Sequence, residues 1–232
     1  MVAIRLERPD DALAIAGVHV RAWQAGYAGI MPAEVLDRLN VAAWAQRRRE
    51  RGTAEPEHPF RTLVATADDS DSDSDSDSEE IVVGFATVGP YRTGQDPEDL
   101  DHRYGEILTM YVEPTRWGTG IGRALLAAAV TELAGRGWTE LRLWVLAENS
   151  RGRRFYERAG LAPDGDRTVF RLQWSRGRPP VGLVELRYAA RLSALATTGG
   201  RGPISDVRPV DGARTVDGSS SPATRTDPIV ER

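Results

Sequence analysis

Three alternating glycines mark the run Gly118-Thr119-Gly120-Ile121-Gly122-Arg123-Ala124-Leu125-Leu126. Just before it, Glu106-Ile107-Leu108-Thr109-Met110-Tyr111-Val112 is a short apolar stretch that reads as a buried strand. Just after it begins, Ile121, Leu125, Ala129 and Leu133 recur at helical spacing and form one apolar stripe. Glycines at such a strand-to-helix junction let a ligand approach the backbone closely. The first N–H groups of a helix have no intrahelical acceptor, and a phosphate is their usual guest. Spacing narrows the ligand. A P-loop needs Lys-Ser or Lys-Thr after its glycines, and a dinucleotide loop counted from Gly118 needs glycine where Arg123 stands. An ordinary glycine-rich turn is the alternative that this pattern alone leaves open.

Composition limits the remaining chemistry. The chain has 232 residues, 41% of them hydrophobic, enough for one sizeable domain with additions. The absence of cysteine excludes disulfides, thiolate metal sites and a cysteine nucleophile. His19, His58 and His102 lack ligand spacing, so no metal is expected. Arg5, Glu7, Arg8, Asp10 and Asp11 argue against a signal peptide, and no apolar run has the length of a membrane span. The expectation is a cytoplasmic protein with no membrane partner. Most of the net negative charge comes from one acidic stretch, Asp68 to Glu80. The remainder is mildly basic, too weakly to argue for nucleic acid.

The elements that would position the glycine corner can be read in order. Ala3 to Glu7 suggests a first strand, and Pro9-Asp10-Asp11 starts a helix running to about Tyr27. Ile15, Val18 and Ala22 form its core stripe, and His19, Trp23 and Tyr27 an adjoining face. Those rings are either core packing or the wall of an acceptor pocket. A second helical region extends from Pro32 through Leu36, Leu39 and Trp44 to Arg51, with Arg47, Arg48, Arg49 and Arg51 read as a solvated face. Phe60 to Thr66 and Ile81 to Val88 read as strands. Between them, residues 67–80 read as a disordered acidic hairpin loop. Tyr91 to Tyr104 reads as a loop. Gly135 and Gly137 end the long helix, and Glu140 to Ala147 forms a strand parallel to the central one. Asn149 and Ser150 cap a short helix with Phe155 as its core residue and Gly160 as its stop. Thr168 to Trp174 and Val181 to Tyr188 close the sheet as an antiparallel pair, and residues 193–232 read as a disordered tail. No internal repeat is visible.

The stretch Val112 to Leu126 resembles the pyrophosphate loop of the GNAT acyltransferases, whose pattern is [Q/R]-x-x-G-x-[G/A]. Gly120 and Gly122 fill the small positions, while Trp117 stands where Gln or Arg is usual. That departure removes one polar side chain and leaves the backbone cradle intact. The stretch Asn149 to Leu161 resembles a second segment of the same family, an Asn that begins a helix followed by Phe-Tyr and a closing Gly. Two motifs in the right order are more specific than either alone, and the resemblance covers residues 2–192. It implies an α/β (α+β) fold, a mixed, centrally parallel twisted sheet flanked by helices, spanning residues 1–192.

The resemblance also implies N-acetyltransferase activity, with acetyl-coenzyme A as co-substrate and an amine as acceptor. Tyr156 would be the general acid for the leaving thiolate. Glu106 would be the base; as a residue it could equally be a strand-edge charge or half of a salt bridge. Trp144 stands where some relatives carry a base and cannot serve as one. Met110, Tyr111 and Val112 would pair with the pantetheine amides, and Gly118, Thr119, Gly120, Ile121, Gly122 and Arg123 would hold the pyrophosphate. Asn149 would bond the pantetheine arm or simply cap its helix. Trp23 and Tyr27 would line the acceptor site, and a homodimer is left open. The rival readings are a non-catalytic acyl-coenzyme A sensor and an interaction protein working through its acidic loop and tail.

Overall fold

The computed structural model describes residues 2–52, 54–68, 80–94, 99–172 and 180–196. Their strands are β1 (Val2–Leu6), β2 (Arg61–Asp68), β3 (Glu80–Arg92), β4 (Leu100–Val112), β5 (Glu140–Leu146), β6 (Ala162–Leu172) and β7 (Val181–Arg191). Their helices are α1 (Ala12–Gly26), α2 (Ala33–Leu36), α3 (Val41–Arg51), α4 (Ile121–Gly135), α5 (Ser150–Arg158) and α6 (Leu192–Ala196). The seven strands form one sheet in the order β1-β2-β3-β4-β5-β7-β6. Its one parallel pair of recorded register is β4 with β5, through Gly105↔Leu141 and Glu106↔Arg142. The pairs β1–β2, β2–β3, β5–β7 and β6–β7 are antiparallel. This is the mixed sheet the resemblance implies, parallel near its middle.

The chain divides into two compact units, with β3 and β4 each contributing to both. The first takes residues through Gly89 and then Ile107–Glu132. Its core sets Ile15 and Val18 of α1 against Val64 of β2 and Phe85 of β3. Ile121, Leu125 and Ala129 of α4 are buried at 3%, 0% and 0% exposure, so the apolar stripe read from the sequence is the packed face. Close approach of α4 explains Gly84: a Cβ there would stand 3.0 Å from both Leu125 Cδ1 and the Tyr111 carbonyl oxygen.

Charged groups lock the start of this unit. Asp11 accepts from the Arg8 N–H at 2.6 Å and from the Arg5 guanidinium at 2.6 and 2.9 Å. Arg48 of α3 grips Glu7 at 2.5 and 2.8 Å and Thr62 Oγ1 at 2.7 Å. With the Glu7 side chain only 3% exposed, this is a buried pair. Arg48 therefore does not belong to the solvated face proposed for the arginine cluster. His19 is also buried, stacked on Tyr111 at a centroid distance of 4.6 Å and edge-on to Trp44 at 4.1 Å. Burial pushes the imidazole well below its usual value, and the nearby Arg48 and Arg51 charges push it further, so His19 is neutral.

The second unit takes Pro90–Glu106 and the described residues from Leu133 onward. Leu141, Leu143 and Leu172 are buried in it, together with Tyr188. Gly105 makes room for Leu133, whose Cδ2 would lie 2.9 Å from an added Cβ.

Several expectations need correction. The region from Pro32 to Arg51 is two helices, because Asn40 leaves the helical region and its side chain caps α3 by accepting from the Ala43 N–H at 2.9 Å. Ala67, Asp68 and Glu80 are strand residues rather than loop, with Ala67 paired to Val2 and Asp68 to Glu80. Positions 69–79 of the acidic stretch lie outside the described residues. Much of Tyr91 to Tyr104 is strand as well. Its polarity, with Gly94, Pro97 and several acids, suggests a loop, but two of its arginines are paired: Arg103 with Asp101 at 2.9 Å and Arg92 with Glu106 at 3.3 Å. Phe155 is half-buried, and α5 has no buried residue at all. Ser193 to Ala196 belong to α6 rather than to the tail, because Leu192 and Leu195 are buried. The remaining tail lies outside the described residues.

Two outcomes are expected. Replacing Arg48 by Ala strands a buried carboxylate, and urea denaturation should show a loss of about 3 kcal/mol. Glu7 and Arg48 replaced together by apolar residues should lose much less. His19 binds a proton below about pH 6.5 in the unfolded chain but not in the folded one. Its depressed value therefore makes stability fall as pH drops through that range, by up to about 1.4 kcal/mol per pH unit. His19→Gln should remove that slope, read as urea midpoint against pH, even if the variant is less stable throughout.

Candidate active site

The glycine corner follows β4 directly. Residues 108–112 of β4 are half-buried although most are apolar, whereas Ile107 is 3% exposed. A single turn, Pro114–Arg116, then carries the chain to Trp117 and the glycines. Gly118 and Gly120 have φ of 84° and 96°, a backbone conformation that strains any other residue. A Cβ added to Gly118 would meet no atom within 4 Å, and one on Gly120 would meet only an Arg123 guanidinium nitrogen, at 3.7 Å. The corner is open space. The first bond closing α4 is Ala124 N–H to Gly120 O at 3.1 Å. The N–H groups of Ile121, Gly122 and Arg123 precede it and have no carbonyl in the helix to bond. Thr119 turns its hydroxyl inward onto the Arg116 carbonyl at 2.7 Å, and Arg123 is exposed. This arrangement can take a doubly charged anion through main-chain donors, with Arg123 at its rim.

Trp117, the departure from the family pattern, has a visible role. Its indole N–H donates to the Val112 carbonyl at 2.8 Å, tying the end of β4 to the loop. Its ring reaches α1, where a Cβ on Gly26 would come within 3.9 Å of it. A polar side chain is missing from the loop, but its indole braces the strand end.

The aromatic face of α1 meets β4 in the same unit. Tyr27 and Tyr111 share a hydroxyl–hydroxyl bond of 3.3 Å. Trp23 packs edge-on to Tyr27 at 5.3 Å and against Trp44 at 5.7 Å. Trp23 is 5% exposed, so it backs Tyr27, which is partly exposed, more than it offers a surface of its own. Met110 is half-buried on the same strand.

Three further candidates lie in the second unit. Glu106 is 1% exposed. Its Oε2 accepts from the Arg92 backbone N–H at 2.9 Å and from Arg92 Nε at 3.3 Å, and its Oε1 lies 3.5 Å from the same guanidinium. Asn149 caps α5, its side-chain oxygen accepting from the Gly152 N–H at 2.9 Å. Tyr156 is half-buried on α5, next to Phe155 with centroids 5.2 Å apart and 6.4 Å from Tyr188. Each unit thus groups its own candidates: Trp23, Tyr27, Met110, Tyr111, Val112 and the glycine corner in the first, Glu106, Asn149 and Tyr156 in the second. From sequence alone Trp44 and Tyr188 are only parts of a helix and a strand, and Arg92 is part of a polar loop. Arg92 and Tyr188 act across strand-to-strand and strand-to-helix distances that no local pattern encodes.

Among the described residues no group of three or more His, Cys, Asp or Glu could hold a metal ion, and no helix is long and apolar enough to cross a membrane. Comparison with known proteins bears on the rest. The acetyltransferase (GNAT) family model matches residues 33–161. The uncharacterized N-acetyltransferase YuaI of Bacillus subtilis (strain 168) is 30% identical over 149 residues, 64% of this chain and 74% of YuaI. A mycothiol acetyltransferase of Beutenbergia cavernae is 41% identical over 63 residues, 27% of this chain and 21% of that protein. Among solved structures, the PaiA N-acetyltransferase of Thermoplasma acidophilum in complex with coenzyme A aligns with a TM-score of 0.59 at 20% identity, covering 82% of this chain and 99% of that one. The match to more than half of the chain and to most of YuaI, on a fold with an open glycine corner between strand and helix, means that this protein belongs to the GNAT family of acetyltransferases and is an acyltransferase.

Proposed function

We propose that the protein transfers an acetyl group from acetyl-coenzyme A to a primary amine, by direct attack of the amine in a ternary complex. The observation that carries this reading is the open corner at Gly118 and Gly120, where added Cβ atoms would stand in space that a diphosphate can fill. Main-chain N–H groups of residues 120–123 would hold that diphosphate, and the backbone of Met110, Tyr111 and Val112 would bond the pantetheine amides. Acetyl-coenzyme A supplies the activated thioester. Tyr27, backed by Trp23 and bonded to Tyr111, would line the acceptor side; a small molecule or a protein N-terminus would fit this role. A cytoplasmic location is part of the same reading.

Two residues would move protons. A primary amine is mostly protonated at neutral pH and cannot attack until it loses a proton. Glu106 would take it. Its carboxylate is dehydrated by burial, and Arg92 bonds chiefly one of its oxygens. The amine nitrogen then bonds to the acetyl carbon, the carbon–sulfur bond breaks, the Tyr156 hydroxyl gives its proton to the departing thiolate, and the proton that the new amide nitrogen must still shed replaces the one Tyr156 gave up. Asn149 would act by starting α5 at a fixed point, since its side chain already caps that helix.

The bonds from Arg92 favour a second reading of Glu106, as the buried half of an ion pair that holds β3 to β4.

Calorimetric titration should show acetyl-coenzyme A binding, and a panel of amines should identify an acceptor that triggers free-thiol release. Tyr156→Phe should keep that binding and lower turnover by about a hundredfold. Wild-type turnover in this variant would remove Tyr156 from the acid role, and no binding by the unaltered protein would sink the reading as a whole. Glu106→Gln separates the two accounts of that residue. As the base, its loss should depress turnover between about pH 6 and 9 and abolish the acid limb of the rate profile. Full turnover with a lowered melting temperature would leave Glu106 a structural partner of Arg92.

A further inference from the structure

The short helix α5 carries Tyr156, yet none of its nine residues is buried. Apolar packing therefore contributes little to fixing how this helix is rolled about its axis. Polar contacts add to it, and two of them, from Arg153 and Glu157, converge on a single group. Tyr188, on β7, is fully buried at 0% exposure. Its backbone lies between two strands, in register with Leu143 of β5 and Pro163 of β6. Its hydroxyl donates to Glu157 Oε1 at 2.8 Å and accepts from Arg153 Nε at 3.2 Å. Arg153 and Glu157 are four apart, so they present to one side of α5 on successive turns. Arg153 also donates to the Ala147 carbonyl at 3.1 Å, just before the helix begins.

We propose that Tyr188 is a positioning residue for Tyr156. Its hydroxyl, held between Arg153 and Glu157, sets the roll of α5 and with it the direction of the Tyr156 side chain. Tyr156 lies within the span of the clamp, and its ring sits 6.4 Å from that of Tyr188. Burial, with Glu157 alongside, raises the Tyr188 hydroxyl above the ordinary tyrosine value, although the bond from Arg153 opposes this. The hydroxyl thus remains a donor to Glu157 throughout the range in which Tyr156 would act. Asn149 fixes where the helix starts, and Tyr188 fixes which way it faces.

This inference rests on the reading of Tyr156 as the acid, and the test separates the two. Tyr188→Phe keeps the buried ring and removes the clamp. It should lower kcat by about tenfold to a hundredfold, as a small misplacement of a reacting group does. Acetyl-coenzyme A binding measured by calorimetry should change by less than about twofold, since the glycine corner is untouched. Glu157→Ala should behave like Tyr188→Phe, and Glu157→Gln, which keeps an acceptor oxygen, should restore most of the rate. The decisive measurement is the double substitution. In a Tyr156→Phe background, Tyr188→Phe should cost nothing further, because both changes remove the same proton donation. Losses that multiply would show that Tyr188 acts elsewhere and would overturn the proposal, as would wild-type kcat in Tyr188→Phe. Full turnover in Tyr156→Phe alone would instead sink the acid and the clamp together.

Discussion

A backbone amide that a helix cannot satisfy has to be satisfied by something else. At the start of α4 the first intrahelical bond is made by Ala124, which leaves the N–H groups of Ile121, Gly122 and Arg123 facing a space that glycines keep clear. The rest of the first unit can be understood as what holds that corner in place. Ile121, Leu125 and Ala129 bury the helix, Gly84 lets it come close, and Trp117 ties the loop back to Val112. The corner is thus rigid on one side and empty on the other, the condition for binding charge without first rearranging.

Packing alone would not align the elements within either unit. The described chain relies on arginine clamps at several joints. Arg5 joins β1 to the turn before α1 through Asp11, Arg48 joins α3 to the end of β1 through Glu7, Arg92 joins β3 to β4 through Glu106, and Arg153 joins α5 to β7 through Tyr188. The sequence contains no lysine, so all thirty of its basic side chains are arginine. A planar guanidinium with five donors can grip a carboxylate with two parallel bonds and still reach a third group, as Arg48 does with Glu7 and Thr62. An ammonium group in the same place would give a point charge and no fixed plane.

This division explains what could be read from the sequence. Repeating apolar positions are local information, so the stripe of α4, the core face of α1 and the closing pair β6–β7 were legible from spacing. The glycine corner was legible because its strained backbone allows few residue types. The cap of α5 was legible because Asn149 acts on a neighbour three residues away. What failed was everything decided by a distant partner. Tyr91 to Tyr104 reads as too polar for a strand because the partner of Arg92, Glu106, lies 14 positions on and outside the stretch. Arg48 looked like a surface residue because Glu7 is 41 positions away. Phe155 looked like core because the helix it sits on was assumed to be held by packing. Asn40 is the exception, a local cap inside an otherwise continuous pattern that was simply outweighed by the apolar residues on either side.

The same clamps make the two halves of the pH scale unequal for this fold. Arginine does not release its proton in any ordinary range, so raising the pH leaves the cationic partner of every clamp intact. Lowering it neutralises the carboxylates that hold some of these joints. Burial alone would raise the Asp11 carboxyl, but the bonds from Arg5 and Arg8 outweigh burial and hold it below the usual carboxylate value. Asp101 behaves alike beside Arg103, and Glu80 is lowered chiefly by Thr66 and then by Arg5. A carboxylate held low in the folded state stabilises it above the unfolded value, and that contribution disappears as pH falls through the folded one. The neutral imidazole of His19 begins to cost stability earlier on the same descent, because only the unfolded chain can protonate it. Acid therefore acts first on the aromatic core beneath Tyr111 and afterwards on the joints between elements.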